Sequence, residues 1–299
     1  MEQVYKESLD TSPIILGNRG IEFQGFIKRL VMRGNLTEKY ANILTGPEGM
    51  DLYSMAFTNP TADPVKNYEM LEMTGDSTCN NCLVWYFFYK YPHLNNKEGV
   101  KTIAKLKIFY AATKTFFMIA DREGFQPFIS ARQERMFHLR EKTMEDCFEA
   151  FFGATQYLLD TYVRQGVGHA ICYEIFKSFF GEIAIETRYY KLVDNITKLK
   201  ELADSHPMYQ GSRIMKIEYT KAGFEQRTVG GLVVTHVMAI LENGGKVKIG
   251  EGKASKGPVA NQKGAQNALR YLKSIGIVRF YENPSENDDF DEVKIVFVK

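Results

Sequence analysis

The sequence of 299 residues predicts a mainly α protein, with a long all-helical domain followed by a small α-β-β-β-α module. Three observations carry that reading. Between residues 21 and 180, apolar side chains recur at helical spacing in one stretch after another. One of these stretches, opening at Tyr68, carries Glu69, Glu72 and Asp76 at i, i+3 and i+7, on one stripe of a helix. Beyond residue 191 the period falls to two, in short runs bounded by turn residues.

In chain order, residues 1–20 hold Pro13, Gly17 and Gly20 among mixed residues and read as an extended arm. Phe23, Phe26, Ile27, Leu30 and Val31 mark a helix over 21–33. A second short helix runs from Asn35 to Leu44 and closes at Gly46-Pro47; a third runs from Asp51 to Phe57 and ends at Asn59-Pro60. The loop Thr58-Asn59-Pro60-Thr61-Ala62-Asp63-Pro64 leads into the acidic helix. Its apolar run, Cys79 to Tyr91, reads as buried, with Leu83, Trp85, Phe87 and Phe88 leaving little room for a wet face. Helices follow at 99–109 and 110–120. Residues 122–140, richer in Gly, Pro and charge, read as looser, and helix resumes through Glu145–Ala154 and Tyr162–Phe180. The domain boundary falls near Lys191.

Composition bounds the function. With 44% hydrophobic and 13% aromatic residues the chain can bury a large core. A formal net charge of +2 carries no global field, so any basic surface must be local. No apolar run is long enough to span a bilayer, and the N-terminus has no charged-then-apolar leader. Cys79, Cys82, Cys147 and Cys172 lack the second pair or the histidines of a zinc site and read as core thiols in a reducing compartment. His93, His138 and His169 show no ligand spacing.

Three acids at helical spacing, taken alone, read most simply as a solvated face. A second helix changes that. In Glu145-Asp146-Cys147-Phe148-Glu149-Ala150, Asp146 and Glu149 again share a face, and Ala150, Gly153 and Ala154 would let another helix come close. Two such helices can gather four carboxylates, an arrangement suited to a hard divalent cation with oxygen ligands.

Glu69-Met70-Leu71-Glu72-Met73-Thr74-Gly75-Asp76 resembles the signature stretch of the ribonuclease III family, ERLEFLGD, and Glu145–Ala150 resembles its second motif, ADTFEA. Thr58-Asn59-Pro60-Thr61 is similar to the family's THPS segment, with Asn59 in place of His. The match in order and spacing spans roughly residues 50–185. Carried over by position, the resemblance implies that Glu72, Asp76, Asp146 and Glu149 are the metal-binding and catalytic acids, with Glu69 a secondary acid. It implies Mg2+ as the cofactor, with Mn2+ able to substitute. Met70, Met73 and Thr74 depart from the usual Arg, Phe and Leu. The family's signature helix lies at a homodimer interface, so Met73 becomes the implied dimer contact, flexible where the family has an aromatic.

The C-terminal part reads as helix 196–203, with Asn195 as cap, then strands at 215–219, 231–242 and 246–251, and a helix opened by Pro258 and running 259–274. With Gly250-Glu251-Gly252 before that helix and Ala260, Ala265, Ala268 and Leu269 along it, the module resembles a double-stranded-RNA-binding domain. Residues 194–276 hold 13 Lys+Arg against 7 Asp+Glu, an excess of +6 suited to phosphates. Gly257-Pro258-Val259-Ala260 stands where the family has a KKxA lysine pair, so Lys253, Lys256 and Lys263 are the candidate RNA contacts. Gly223-Phe224-Glu225-Gln226 replaces a GPxH-like loop, which predicts weaker or reoriented binding. The division expected is an arm 1–20, a ribonuclease III endonuclease domain 21–191, a double-stranded-RNA-binding domain 194–276 and an extension 277–299, whose Glu286–Asp289 run reads as a solvated loop.

The resemblance implies an endoribonuclease that hydrolyses double-stranded RNA with two metal ions, leaving 5'-phosphates and staggered 3' overhangs, for RNA processing. It further implies a homodimer in the cytoplasm, with a nuclear or virus-associated location also compatible. The alternative is a non-catalytic duplex-binding or scaffold protein on the same fold. A scaffold is free to lose its metal ligands, and this chain has kept all four.

Overall fold

The computed structural model describes residues 12–97, 99–221, 232–278 and 295–298. The loop at 223–226 and the acidic run at 286–289 lie outside the described residues, as do residues 1–11 of the arm. The chain divides into two compact units, residues 1–185 with 295–299, and residues 186–294.

The first unit is helical: α1 (Ile21–Met32), α2 (Glu38–Thr45), α3 (Pro47–Ala56), α4 (Glu69–Lys90), α5 (Gly99–Tyr110), α6 (Thr113–Glu123), α7 (Gln133–His138), α8 (Arg140–Tyr162) and α9 (Val167–Phe180). Its centre is α8, where every residue from Thr143 to Thr155 is buried. A helix covered all round is a core helix, and α2, α3, α4, α6 and α9 pack against it. Aromatic rings fill the spaces, as in Phe116 on Phe148 at 5.1 Å and Phe176 on Phe180 at 4.3 Å between ring centroids. Proline has a different role from the one expected at the second helix end. Pro47 starts α3 in the first turn, where its missing N–H costs nothing.

The expected burial of the whole apolar half of α4 is corrected by the structure. Leu83 and Phe87 are fully buried, but Trp85 and Phe88 are 42% and 41% exposed. The helix turns through 100° per residue, so an unbroken apolar run must present some of its side chains outward.

A two-stranded ladder joins the arm to the loop region before α8: β1 (Ile14–Ile15) pairs antiparallel with β2 (Ala131–Arg132). At the other end of the chain, Phe297 bridges Ile183, the Ala184 N–H donates to the Val296 carbonyl at 2.8 Å, and Arg122 lies over the Phe297 ring.

The second unit holds α10 (Tyr189–Leu192), α11 (Asn195–Ala203), the strands β3 (Met208–Tyr209), β4 (Ser212–Lys221), β5 (Val233–Leu241) and β6 (Lys246–Ala254), and α12 (Gly257–Ser274). The strands form one antiparallel sheet in the order β3-β4-β5-β6. Leu199, Leu202, Ile214, Val237, Ile249, Ala268 and Leu272 make its core. Gly252 lets α12 lie directly on β6, since a Cβ there would stand 1.9 Å from the Ala260 carbonyl oxygen. The cap of α11 is Asp194, whose carboxylate accepts from Thr197 N–H at 3.0 Å, and not the expected Asn195. Among the described residues, no helix is long and apolar enough to cross a membrane.

Candidate metal centre

Two glycines bring the acidic helices together. A Cβ on Gly75 of α4 would lie 1.8 Å from the Glu149 carbonyl oxygen, and one on Gly153 of α8 would lie 2.1 Å from the Leu71 carbonyl oxygen. Backbone therefore meets backbone where α4 crosses α8, and short carboxylate side chains on the two helices can converge. Carboxylate oxygens of Glu72, Asp146 and Glu149 lie within 4.8 Å of one another. Asp146 and Glu149 are 4% and 3% exposed, while Glu72 is half-buried.

The other predicted acids stand further out. Asp76 is exposed and accepts from the Asn80 amide at 2.7 Å, yet its charge still acts on Glu72 and Glu149. Glu69 is exposed in the first turn of α4, where an acid suits the helix dipole. The structure therefore gathers three of the four predicted ligands, keeps Asp76 at their edge, and leaves Glu69 out.

Several further side chains complete the centre. Glu145 is buried beside Asp146. The Lys142 ammonium lies 2.7 Å from Asp146 Oδ1, 3.1 Å from Glu145 Oε2 and 3.9 Å from Glu72 Oε1. Its approach leaves Asp146 Oδ1 and Glu145 Oε2, both out of contact with water, without a directed hydrogen bond. Tyr68 donates its O–H to Asp146 Oδ2 at 2.6 Å, and Arg135 stands 3.6 Å from the same oxygen. The sequence did carry a signal for Lys142, which precedes Glu145 and Asp146 by three and four residues. Tyr68 had none, because its partner is 78 positions away.

Crowded carboxylates and burial set the electrostatics. Burial, then Glu145 and Asp76, push the Glu149 carboxyl up to about 9. Burial raises Glu72 as well, with Asp146 adding to it. Burial also raises Glu145, against the pull of Lys142. The Lys142 ammonium is held above its ordinary range: burial works against the charge, but Asp146 and Glu145 outweigh it. One ammonium cannot neutralise this cluster. A divalent cation fits it better, because the donors are hard oxygens and one of them, Asp146 Oδ1, is buried without a directed hydrogen bond.

A pH dependence follows for the metal-free protein. Unfolded, Glu149 returns to an ordinary carboxyl near 4.5. Between that value and about 9 the folded form holds a proton that the unfolded form has lost, so this group makes stability fall as pH rises across that window. In EDTA the melting temperature should fall between pH 5 and pH 8, and the fall should be smaller in Glu149→Gln. Calorimetry showing equal pH slopes for the two proteins would contradict this.

A family model of the Ribonuclease III domain matches residues 69–158, which run from the start of α4 through most of α8 and include all four predicted acids. A protein carrying the name ribonuclease 3 in Invertebrate iridescent virus 6 is 34% identical over 208 residues, covering 66% of this chain and 71% of that protein. The chain belongs to the ribonuclease III family. It is accordingly an endoribonuclease of the ribonuclease III type. A Frog virus 3 protein that carries the name ribonuclease 3 is 37% identical over 183 residues, 60% of this chain, which spans 48% of that protein's length. The bacterial ribonuclease 3 of Lactococcus lactis is 26% identical over 223 residues, 72% of this chain and 85% of that protein. The solved nuclease domain of ribonuclease III from Campylobacter jejuni aligns with 56% of this chain and 100% of that chain, at 19% identity and a TM-score of 0.40.

Proposed function

We propose that this ribonuclease III cleaves double-stranded RNA by metal-assisted phosphodiester hydrolysis, with Glu72, Asp76, Asp146 and Glu149 as metal-binding acids. The observation that carries the reading is the convergence of Glu72, Asp146 and Glu149 oxygens at the crossing of α4 and α8. Mg2+, when bound, supplies an acidified water and charge neutralisation at the leaving oxygen. The chain's residues prepare for that. Tyr68 holds Asp146 Oδ2, and Oδ1, 2.7 Å from the Lys142 ammonium, is left for a ligand role. Lys142 balances part of the acidic charge, and Glu145 offers it a counter-ion outside the proposed ligand set. Duplex RNA hides its bases in a deep groove and is met by shape, phosphates and 2'-hydroxyls, so little sequence preference is expected. Incubating the protein with a long RNA duplex and Mg2+ and mapping the ends tests the reading. Products with 5'-phosphates and staggered 3' overhangs support it, and an uncut duplex defeats it.

The proposed assembly is a homodimer through α4. Met70 and Met73 are 67% and 57% exposed, and Trp85 and Phe88 continue the same stripe. Beside it opens a cleft of about 400 Å3 lined by residues including Leu71, Thr74, Thr78, Gln156 and Tyr157, able to take a methionine from a second copy. Met73→Asp should place an unpaired charge in that contact and shift dimer to monomer in sedimentation. A wild type already monomeric at micromolar concentration would defeat the dimer.

The second unit is proposed as the duplex-binding module. Lys256 and Lys263 are exposed on and next to α12. Lys253 points elsewhere: on β6 it shares a sheet face with Glu251 and pairs with it at 3.0 Å, one of the contacts, led by Lys248, that hold Glu251 down to about 2. Lys256→Ala with Lys263→Ala should therefore lower duplex affinity alike for unrelated sequences, and reduce the salt slope by up to about two units. Lys253→Ala should change neither. A double variant with wild-type affinity and slope would place the RNA contact on another face. The cytoplasm is the compartment that suits four buried cysteines without disulfides.

A further inference from the structure

The proposed reaction gives the N-terminal arm no task, yet the arm is fastened to the protein at many points. The Gln133 N–H donates to the Pro13 carbonyl at 2.9 Å, Arg132 Nη1 to the Ser12 carbonyl at 2.6 Å, and Asn18 N–H to the Pro127 carbonyl at 2.9 Å. Gly17 N–H donates to Ser130 Oγ at 3.0 Å. The partly buried Arg19 guanidinium donates to the Phe128 carbonyl at 2.6 Å, and at 3.3–3.4 Å to Ser54, Phe57, Thr58 and Ser130 oxygens. All but three of these partners belong to residues 126–133, the segment that leads into α7.

That segment is in turn joined to the metal centre. Asn59 N–H donates to the Ser130 carbonyl at 2.8 Å, and Arg132 N–H donates to Thr61 Oγ1 at 3.1 Å. The Thr61 hydroxyl donates to Asn59 Oδ1 at 2.6 Å, Asn59 Nδ2 donates to Tyr68 Oη at 2.6 Å, and Tyr68 donates to Asp146 Oδ2 at 2.6 Å. Asn59 and Tyr68 are 2% and 3% exposed, so the links from Asn59 through Tyr68 to Asp146 are shielded from solvent. A second route starts from the same segment: α7 follows β2 directly, and its Arg135 donates to Thr143 Oγ1 at 3.1 Å while facing Asp146.

We propose that the N-terminal arm is a positioning element of the metal centre, fixing residues 126–133 so that Thr61, Asn59 and Tyr68 hold Asp146 in its ligand geometry. The physical reason is that hydrogen bonds behind a carboxylate ligand fix its orientation, and removing such a group typically costs about 10–100-fold in metal affinity or activity. Asn59, standing where the resemblance has a histidine, thereby acquires a definite role. Its amide both accepts and donates, so it can join Thr61 on one side to Tyr68 on the other.

The inference rests on Asp146 being a metal ligand, and the test separates the two ideas. Mn2+ binding to the full chain is followed by electron paramagnetic resonance, with no RNA present. Thr61→Val removes the hydroxyl that joins Arg132 N–H to Asn59, while the Thr61 N–H stays on Asn59 Oδ1 at 2.9 Å, and should weaken Mn2+ binding about tenfold. Thr61→Ser keeps the hydroxyl and should restore affinity to within about twofold of the wild type. Gly17→Ala acts far from the acids: its Cβ would lie 2.2 Å from the Phe128 carbonyl oxygen, lifting the arm. It should weaken binding by a similar factor, and Gly17→Ala/Thr61→Val should weaken it by clearly less than the product of the two single losses, because both loosen the connection between residues 126–133 and Asn59. Thr61→Val with wild-type Mn2+ affinity, or losses that multiply in the double variant, would overturn the proposal. Should Gly17→Ala fail to fold, Arg19→Ala takes its place, since it removes the arm's contacts to Phe128 and Ser130 and should weaken binding in the same way. A Glu149→Gln control that binds Mn2+ as the wild type does would instead remove the metal centre itself, and the arm's role with it.

Discussion

Gly75→Ala should cut cleavage sharply and lower stability together. A methyl group at this position would stand 1.8 Å from the Glu149 carbonyl oxygen and 2.5 Å from its carbon, both backbone atoms of α8 that no side-chain rotation can move aside. The helices must separate. Overpacking of this kind costs about 1–3 kcal/mol, equivalent to a fall of roughly 2–10 °C in melting temperature for a unit of this size. The effect on catalysis should be larger, because Glu72 and Asp76 ride on one helix, and Asp146 and Glu149 on the other. A displacement of about 1 Å between such groups is enough for a loss on the order of 100-fold. Cleavage rates at saturating Mg2+ and thermal melts of the purified variant check this. Wild-type values for both would mean that the close crossing of α4 and α8 is not what assembles the centre.

Glu149→Gln should separate stability from catalysis. The substitution keeps the side chain's size and burial and removes one charge from a crowd of carboxylates. Because burial and neighbouring acids already disfavour the ionised form, the metal-free variant should melt at or above the wild-type temperature. Cleavage should drop by about two to four orders of magnitude, roughly 3–5 kcal/mol of transition-state stabilisation, and added Mg2+ should stabilise the variant less than the wild type. Duplex binding, which depends on phosphate contacts away from this side chain, should survive. Unchanged turnover would take Glu149 out of the reaction.

The residues that the sequence marked were those whose chemistry depends on near neighbours. Glu69, Glu72 and Asp76 on one helix, and Asp146 and Glu149 on another, follow from a period of 3.6, as does the mainly helical character of residues 21–180. The strands β4, β5 and β6 and the helix α12 likewise announced themselves through alternation, turn residues and a proline in the first turn. Gly153 was legible as a site of close approach, being a glycine among alanines on a helix rich in phenylalanine.

Tertiary packing alone decided the remainder, because each decision joins residues distant in the chain. Gly75 takes its importance from a carbonyl 74 positions later. The path from Ser12 through Arg132, Thr61, Asn59 and Tyr68 to Asp146 crosses four separate segments. Whether Asp76 stands with the other acids or beside them depends on where α4 turns as it passes α8, which no spacing along one helix specifies. The same holds for Trp85 and Phe88, whose partial exposure depends on which face of α4 the other helices leave uncovered. Periodicity states which side chains share a face of a helix; only packing states what that face meets, because burial is a property of the neighbours.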